Sequence, residues 1–351
     1  MLHVTLESRP YDGAGIAARR GPGAPYRRTG FAVLLFASCS LGAMPVAMVG
    51  GASPASAHGV VGQRFFPATL TTDDPFVADE LSLPTVTHQK VSKDPSVKET
   101  DINFDFAKRI TPDVGIVMGY GWTHLDQLGP PHNPSGFQNL EITGQWQFFK
   151  NEPHEAVAMI GLKGEIGGSG AGRIGADGFT TLTPTFYFGK GFGDLPETMN
   201  PLRPIAVTGT LGYAIPMRNT TSTTIFDPDS GDATLAIDHH SNAVQYGLAI
   251  EYSIPYLTSN IQDLGLPPWM NRLTPLVEFS FNQPVDNRFG EQTTGTVNPG
   301  IIWSGQSIQL GAEAIIPLTR ATGKNVGVIA QVHFYLDDLV PQIGRPLFGG
   351  N

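Results

Sequence analysis

The residues best suited to chemistry stand in one short run, Asp238-His239-His240-Ser241, with a further histidine at His124. An acid, a base and a hydroxyl are the parts of a nucleophilic site, and histidines also ligate metals. Neighbours on an extended chain point to opposite sides, so the run makes no triad by itself. Asp227-Pro228-Asp229-Ser230-Gly231-Asp232 has the acid density of a calcium loop without the downstream glutamate at the required spacing. No phosphate-binding loop, nucleotide fingerprint or zinc-helix motif occurs. The expectation is therefore no catalytic residue, no metal and no cofactor.

A second set of polar groups is spread along the chain: Asp101, Asp105, Arg109, Glu141, Gln145, Lys163, Glu165, Glu251, Glu278, Glu313, Gln331 and His333. Each falls in a stretch where polar and apolar residues alternate. In 243–254, Val244, Tyr246, Leu248, Ile250, Tyr252 and Ile254 share one face, and Gln245, Gly247, Ala249, Glu251 and Ser253 share the other. Residues 139–148 set Leu140, Ile142, Trp146 and Phe148 against Asn139, Glu141, Thr143, Gln145 and Gln147. The same reading holds for 100–110, 156–166 and 275–282, and more weakly for 114–124, 179–190, 204–216, 295–304, 307–316 and 325–336.

Period two means strands with two different faces. A soluble β-sandwich alternates too, but carboxylates in mid-strand facing away from Phe, Ile, Leu and Trp suit a wet lumen and a lipid exterior. Link lengths support this: 111–113, 150–155 and 304–306 are short, while 125–136, 167–178, 217–242 and 283–294 are long. Short periplasmic turns and long outer loops alternate in transmembrane barrels. Parity then requires a strand before the first clear one, and 80–91 supplies it. The links 193–203 and 257–273 are long for the periplasmic side, and the second has the composition of a short interfacial helix. Trp122, Trp146, Tyr187, Tyr213, Tyr252, Tyr256 and Trp303 lie near strand ends, where girdle aromatics belong.

The expected fold is all-β: a single antiparallel up-and-down transmembrane β-barrel of about 12 strands over residues 80–336. Residues 1–57 read as a signal peptide with an extended n-region. Arg19, Arg20, Arg27 and Arg28 precede an apolar run, and Ala55-Ser56-Ala57 sets cleavage after Ala57. Twin-arginine export at Arg27-Arg28 and lipidation of Cys39 are the rival readings of this segment. Residues 58–79 form an N-terminal extension, either periplasmic or plug-like, and 337–351 a C-terminal tail. Cleavage removes five basic and two acidic residues from totals of 22 and 31, so the mature chain is strongly acidic and nucleic acid is excluded as a partner. It also removes the one cysteine, and with it any disulfide or thiolate chemistry.

The run from Asn325 to Leu336 resembles the C-terminal insertion signal of bacterial outer-membrane barrels, although Asp337 to Asn351 follow it. Outer-membrane lipid and the barrel-assembly machinery are the partners this implies. From Asp74-Pro75-Phe76-Val77-Ala78-Asp79-Glu80 through the strands, the layout resembles the outer-membrane transporters named after the meta-pathway of phenol degradation. The resemblance rests on layout, without a diagnostic motif. It implies a cell outer membrane channel for small molecules, apolar or aromatic among them. The twelve polar residues above would line its lumen, as selectivity groups or as a plug of paired charges, Glu141 or Glu165 with Lys163 and Asp105 with Arg109. An enzyme at the outer rim using His124 and His240, or a closed structural barrel, are the alternatives.

Overall fold

In the computed structural model, residues 6–8, 59–91, 97–127, 132–226, 233–285 and 292–349 are described. Of the expected signal segment 1–57 these include 6–8 alone, and the expected cleavage after Ala57 and the acidic turn 227–232 lie outside them.

Twelve strands follow one another: β1 Glu80–Val91, β2 Val97–Arg109, β3 Val114–Asp126, β4 Leu140–Asn151, β5 Ala156–Ile166, β6 Thr181–Gly191, β7 Ile205–Pro216, β8 Ala243–Tyr252, β9 Leu273–Pro284, β10 Thr294–Ser304, β11 Ile308–Pro317 and β12 Gly327–Tyr335. Each pairs antiparallel with the next, and β12 pairs antiparallel with β1, from Val328↔His88 to Tyr335↔Glu80. Closure leaves no edge strand in the ring, so every strand is hydrogen-bonded on both sides, as a lipid environment demands.

The alternation sorts the side chains as the period requires. Ile102, Ile142, Trp146, Leu162, Leu211, Ile250 and Val328 stand on the outer face, with Leu211 55% exposed. Asp101, Thr143, Glu251, Glu278, Asn298 and Gln331, at strand positions of the opposite parity, are buried on the inner face. Outer aromatics meet one another, Tyr246 stacked on Phe281 and Trp146 tilted against Phe148. Trp122 and His124 stack as well. Two residues expected in the girdle are elsewhere: Tyr187 points inward and is 2% exposed, and Tyr256 is buried against Arg64. Both positions favour an aromatic for packing rather than for lipid contact.

Links at one end are short, at 110–113, 152–155 and 305–307. The two longer links at that end carry local structure. The short helix α1, Ile254–Asn260, is capped by Ser253, whose hydroxyl accepts from the Tyr256 N–H, and has Pro255 in its first turn. It begins ahead of the expected 257–273 because the Ser-Ile-Pro sequence is a helix start signal. At the other end, the loop 217–242 contains a hairpin of Thr220–Phe226 with Ala233–His239.

The N-terminal segment begins with a small hairpin, Val60–Val61 with Arg64–Phe65, at the short-turn end. It then enters the barrel and returns to β1. Phe66 on the ingoing limb meets Phe76 on the returning one, with ring centroids 5.5 Å apart. Inward-facing glycines make room for it. A Cβ on Gly311 would lie 2.5 Å from Leu70 Cδ1, one on Gly247 2.9 Å from Thr72, and one on Gly115 2.8 Å from Val77 Cγ1. Leu70 joins a buried cluster with Leu276, Ile302, Ile315 and Ile329 of the wall.

Candidate functional site

The lumen is built from two unlike walls. On the β8–β11 side, Glu278 projects inward because it lies one residue from Val277 and Phe279 on the lipid face. It is fully buried and accepts the backbone N–H groups of Leu70 at 2.7 Å, Thr71 at 3.1 Å and Thr72 at 2.5 Å. Three converging N–H donors on one carboxylate form a charge-assisted anchor. Beside it, Asn298 donates to Thr71 Oγ1 at 2.7 Å, and that hydroxyl donates to Glu313 at 3.3 Å. Gln309 donates to the Ala68 carbonyl at 2.6 Å and accepts from the Tyr335 hydroxyl at 2.8 Å. Glu251 is also buried, with neither carboxyl oxygen hydrogen-bonded.

Opposite, between the segment and the β12, β1–β5 wall, lies a cavity of about 240 Å³. Its wall carries Asp105, Glu141, Gln145, Lys163, Gln331 and His333, and the segment contributes Thr72, Asp73 and Asp74. Lys163 lies 3.6 Å from Glu141. His333 meets Ser82 at 2.9 Å and Glu80 at 3.5 Å. Toward the long loops, Asp101 accepts from Thr123 at 2.6 Å and Glu165 from Asn139 at 2.9 Å.

All twelve polar residues singled out from the sequence thus lie on inward-facing strand positions, yet they do not gather into one site. Arg109 sits at the short-turn end and bonds Asp79 and Asp337 at 2.7 and 3.3 Å, so its partner is not Asp105. Asp79 also takes Lys108 at 2.8 Å and the Arg109 N–H at 2.8 Å. Burial pushes the Asp79 carboxyl up, but these bonds outweigh it and hold it below the usual aspartate value. At the same end Arg64 is fully buried. It donates to Glu155 at 3.1 Å, to the Pro204 carbonyl at 2.9 Å and to the Arg203 carbonyl, and lies over the Tyr256 ring at 3.8 Å. Burial lowers its pKa against the opposing pull of Glu155.

The rim histidines do not form a common site. His124 stacks on Trp122, whereas His240 meets Thr221 Oγ1 at 2.9 Å and the Phe179 ring at 4.3 Å. Residues that the sequence reading passed over are Arg64, Thr71, Asp73 and Asp79. Their segment has no periodicity.

A closed ring of twelve antiparallel strands, lipid-facing outside and polar inside, is a transmembrane β-barrel of the outer-membrane kind. No family model matches the sequence, and no curated protein does. Among solved structures it is similar to an outer membrane channel from Pseudomonas putida F1, with a TM-score of 0.52 and 10% identity over 77% of this chain and 99% of that one. The NanC porin aligns with a TM-score of 0.41 and 8% identity over 73% and 98%. The Ralstonia pickettii toluene transporter TbuX gives 0.36 and 12% over 68% of this chain and 67% of that one. Likeness at such identities shows the fold alone.

Proposed function

We propose that this chain is an outer-membrane channel for small molecules, its lumen narrowed by residues 66–79 and its passage lined by the β1–β5 wall. The observation that carries the reading is the polar cavity beside the segment. A barrel built only as a scaffold gains nothing from leaving about 240 Å³ next to unpaired polar groups, since buried polar atoms without partners cost stability. Asp105, Glu141, Gln145 and Lys163 are the residues we assign to that passage. The resemblance to the phenol meta-pathway transporters adds small aromatic solutes to the candidate cargo, and the polar lining suits solutes that also carry hydrogen-bonding groups.

The refolded mature chain, placed in a planar bilayer, is expected to give discrete conductance steps. A chain that folds to a heat-modifiable barrel yet passes no ions and no solute would overturn the reading. The close packing of the segment on the β8–β11 wall favours a second reading, a closed structural barrel, and the same experiment separates the two.

A further inference from the structure

Asp73 lies where the N-terminal segment turns between its ingoing and returning limbs, and it lines the cavity together with Asp105, Glu141 and Lys163 of the facing wall. It interacts electrostatically with all three. The cavity lining carries five carboxyl groups, Asp73, Asp74, Glu80, Asp105 and Glu141, against the one ammonium of Lys163, which lies 3.6 Å from Glu141. A surplus of acceptors therefore remains.

A well-buried neutral group on the cavity wall points the same way. Gln331 is 8% exposed and its Oε1 has no hydrogen-bond partner, so it offers oxygen lone pairs. A space lined by carboxylates and an unspent oxygen acceptor is complementary to a cation, which brings positive charge, a hydration shell or N–H donors.

We propose that the cavity selects small cations and that Asp73, carried by the N-terminal segment and not by the barrel wall, is a specificity-determining residue of that filter. The segment then has a double role: it narrows the lumen, and it delivers one of the charges that sort what passes. Ion preference would thus depend on the segment being seated. This inference rests on the channel reading above.

The test is the reversal potential of the refolded mature chain in a bilayer across a KCl gradient. The unaltered chain is expected to prefer potassium over chloride. Asp73→Lys is expected to lower the permeability ratio about fivefold, as a two-unit change of charge within a narrow low-dielectric lumen should. Glu141→Gln, which removes one unit from the opposite wall, should lower it about twofold. Glu197→Lys, an exposed site on the β6–β7 link at the short-turn end, makes the same two-unit change outside the lumen and should leave the ratio nearly unmoved. Conductance without cation preference, or a preference that Asp73→Lys does not alter, overturns this inference and leaves the channel standing. Absence of conductance in the unaltered chain removes the channel reading, and this inference with it.

Discussion

Glu278 on β9 and Glu141 on β4 both sit on inward strand positions, and both come from the same alternating pattern, yet their surroundings differ. Glu278 is sealed under three backbone N–H groups of the N-terminal segment. Glu141 borders a cavity and, among the described residues, pairs with Lys163 at 3.6 Å. The segment thus satisfies the β8–β11 wall at Glu278, though not at Glu251 of the same wall, while the wall at Glu141 borders space open to water or a solute. The difference teaches that inward polarity alone does not define a pore: what matters is which inward groups the chain itself has already paired.

Four changes would break or sharpen that contrast. Arg64→Ala should have the largest effect, costing about 4 kcal/mol, because it takes the cation from buried Glu155, leaving it the Gly193 N–H, and the donors from two carbonyls at the base of the segment. Thermal unfolding followed by gel mobility would read it, together with faster proteolysis near residue 66. Glu278→Ala comes next, at about 3 kcal/mol, since three buried N–H donors lose one charged acceptor. It should release the segment and raise single-channel conductance, while Glu141→Ala leaves the segment in place.

Gly311→Leu should cost about 2 kcal/mol by overpacking, its side chain competing with Leu70 for one pocket. Its expected signature is the same rise in conductance with the β-sheet circular dichroism unchanged. The smallest effect concerns pH. The folded Asp79 carboxyl is held below its unfolded value, so its contribution to stability is complete above about pH 4 and is lost as pH falls through the lowered folded value. Asp79→Asn should flatten that acid limb of a denaturation profile, and a profile identical to the unaltered chain would count against the Lys108–Asp79–Arg109 anchor.

Much of the barrel was legible in the sequence because alternation is a local signal. The strongest segments, such as 243–254 and 275–282, became β8 and β9 with the expected faces outward, and the twelfth strand demanded by loop parity is β1. What local patterns do not encode is the path of residues 58–79. The partners of that segment, Glu278, Asn298, Gln309 and Gly311, lie more than 200 residues away, and the glycines that admit it look like ordinary interruptions in weak strands. Tyr187 and Tyr256 illustrate the same limit, since an aromatic near a strand end suits a lipid girdle or a buried seat equally until the partner is known. The twelve polar positions picked out by alternation face inward, and Asp73, which alternation does not reach, is brought near Asp105, Glu141 and Lys163 by the fold.

The account's central claim is that passage runs beside a seated segment, along the β1–β5 wall. Thr71→Cys with Asn298→Cys would fasten the segment to the β8–β11 wall, where the two native side chains now meet at 2.7 Å, in a chain whose one native cysteine, Cys39, is replaced by serine. Single-channel recording of the oxidised and reduced forms tests the claim directly. The account predicts open channels of similar conductance in both states. Channels that are shut when the bridge is formed and open only after reduction would contradict it, and would mean that the segment must leave the lumen before anything can pass.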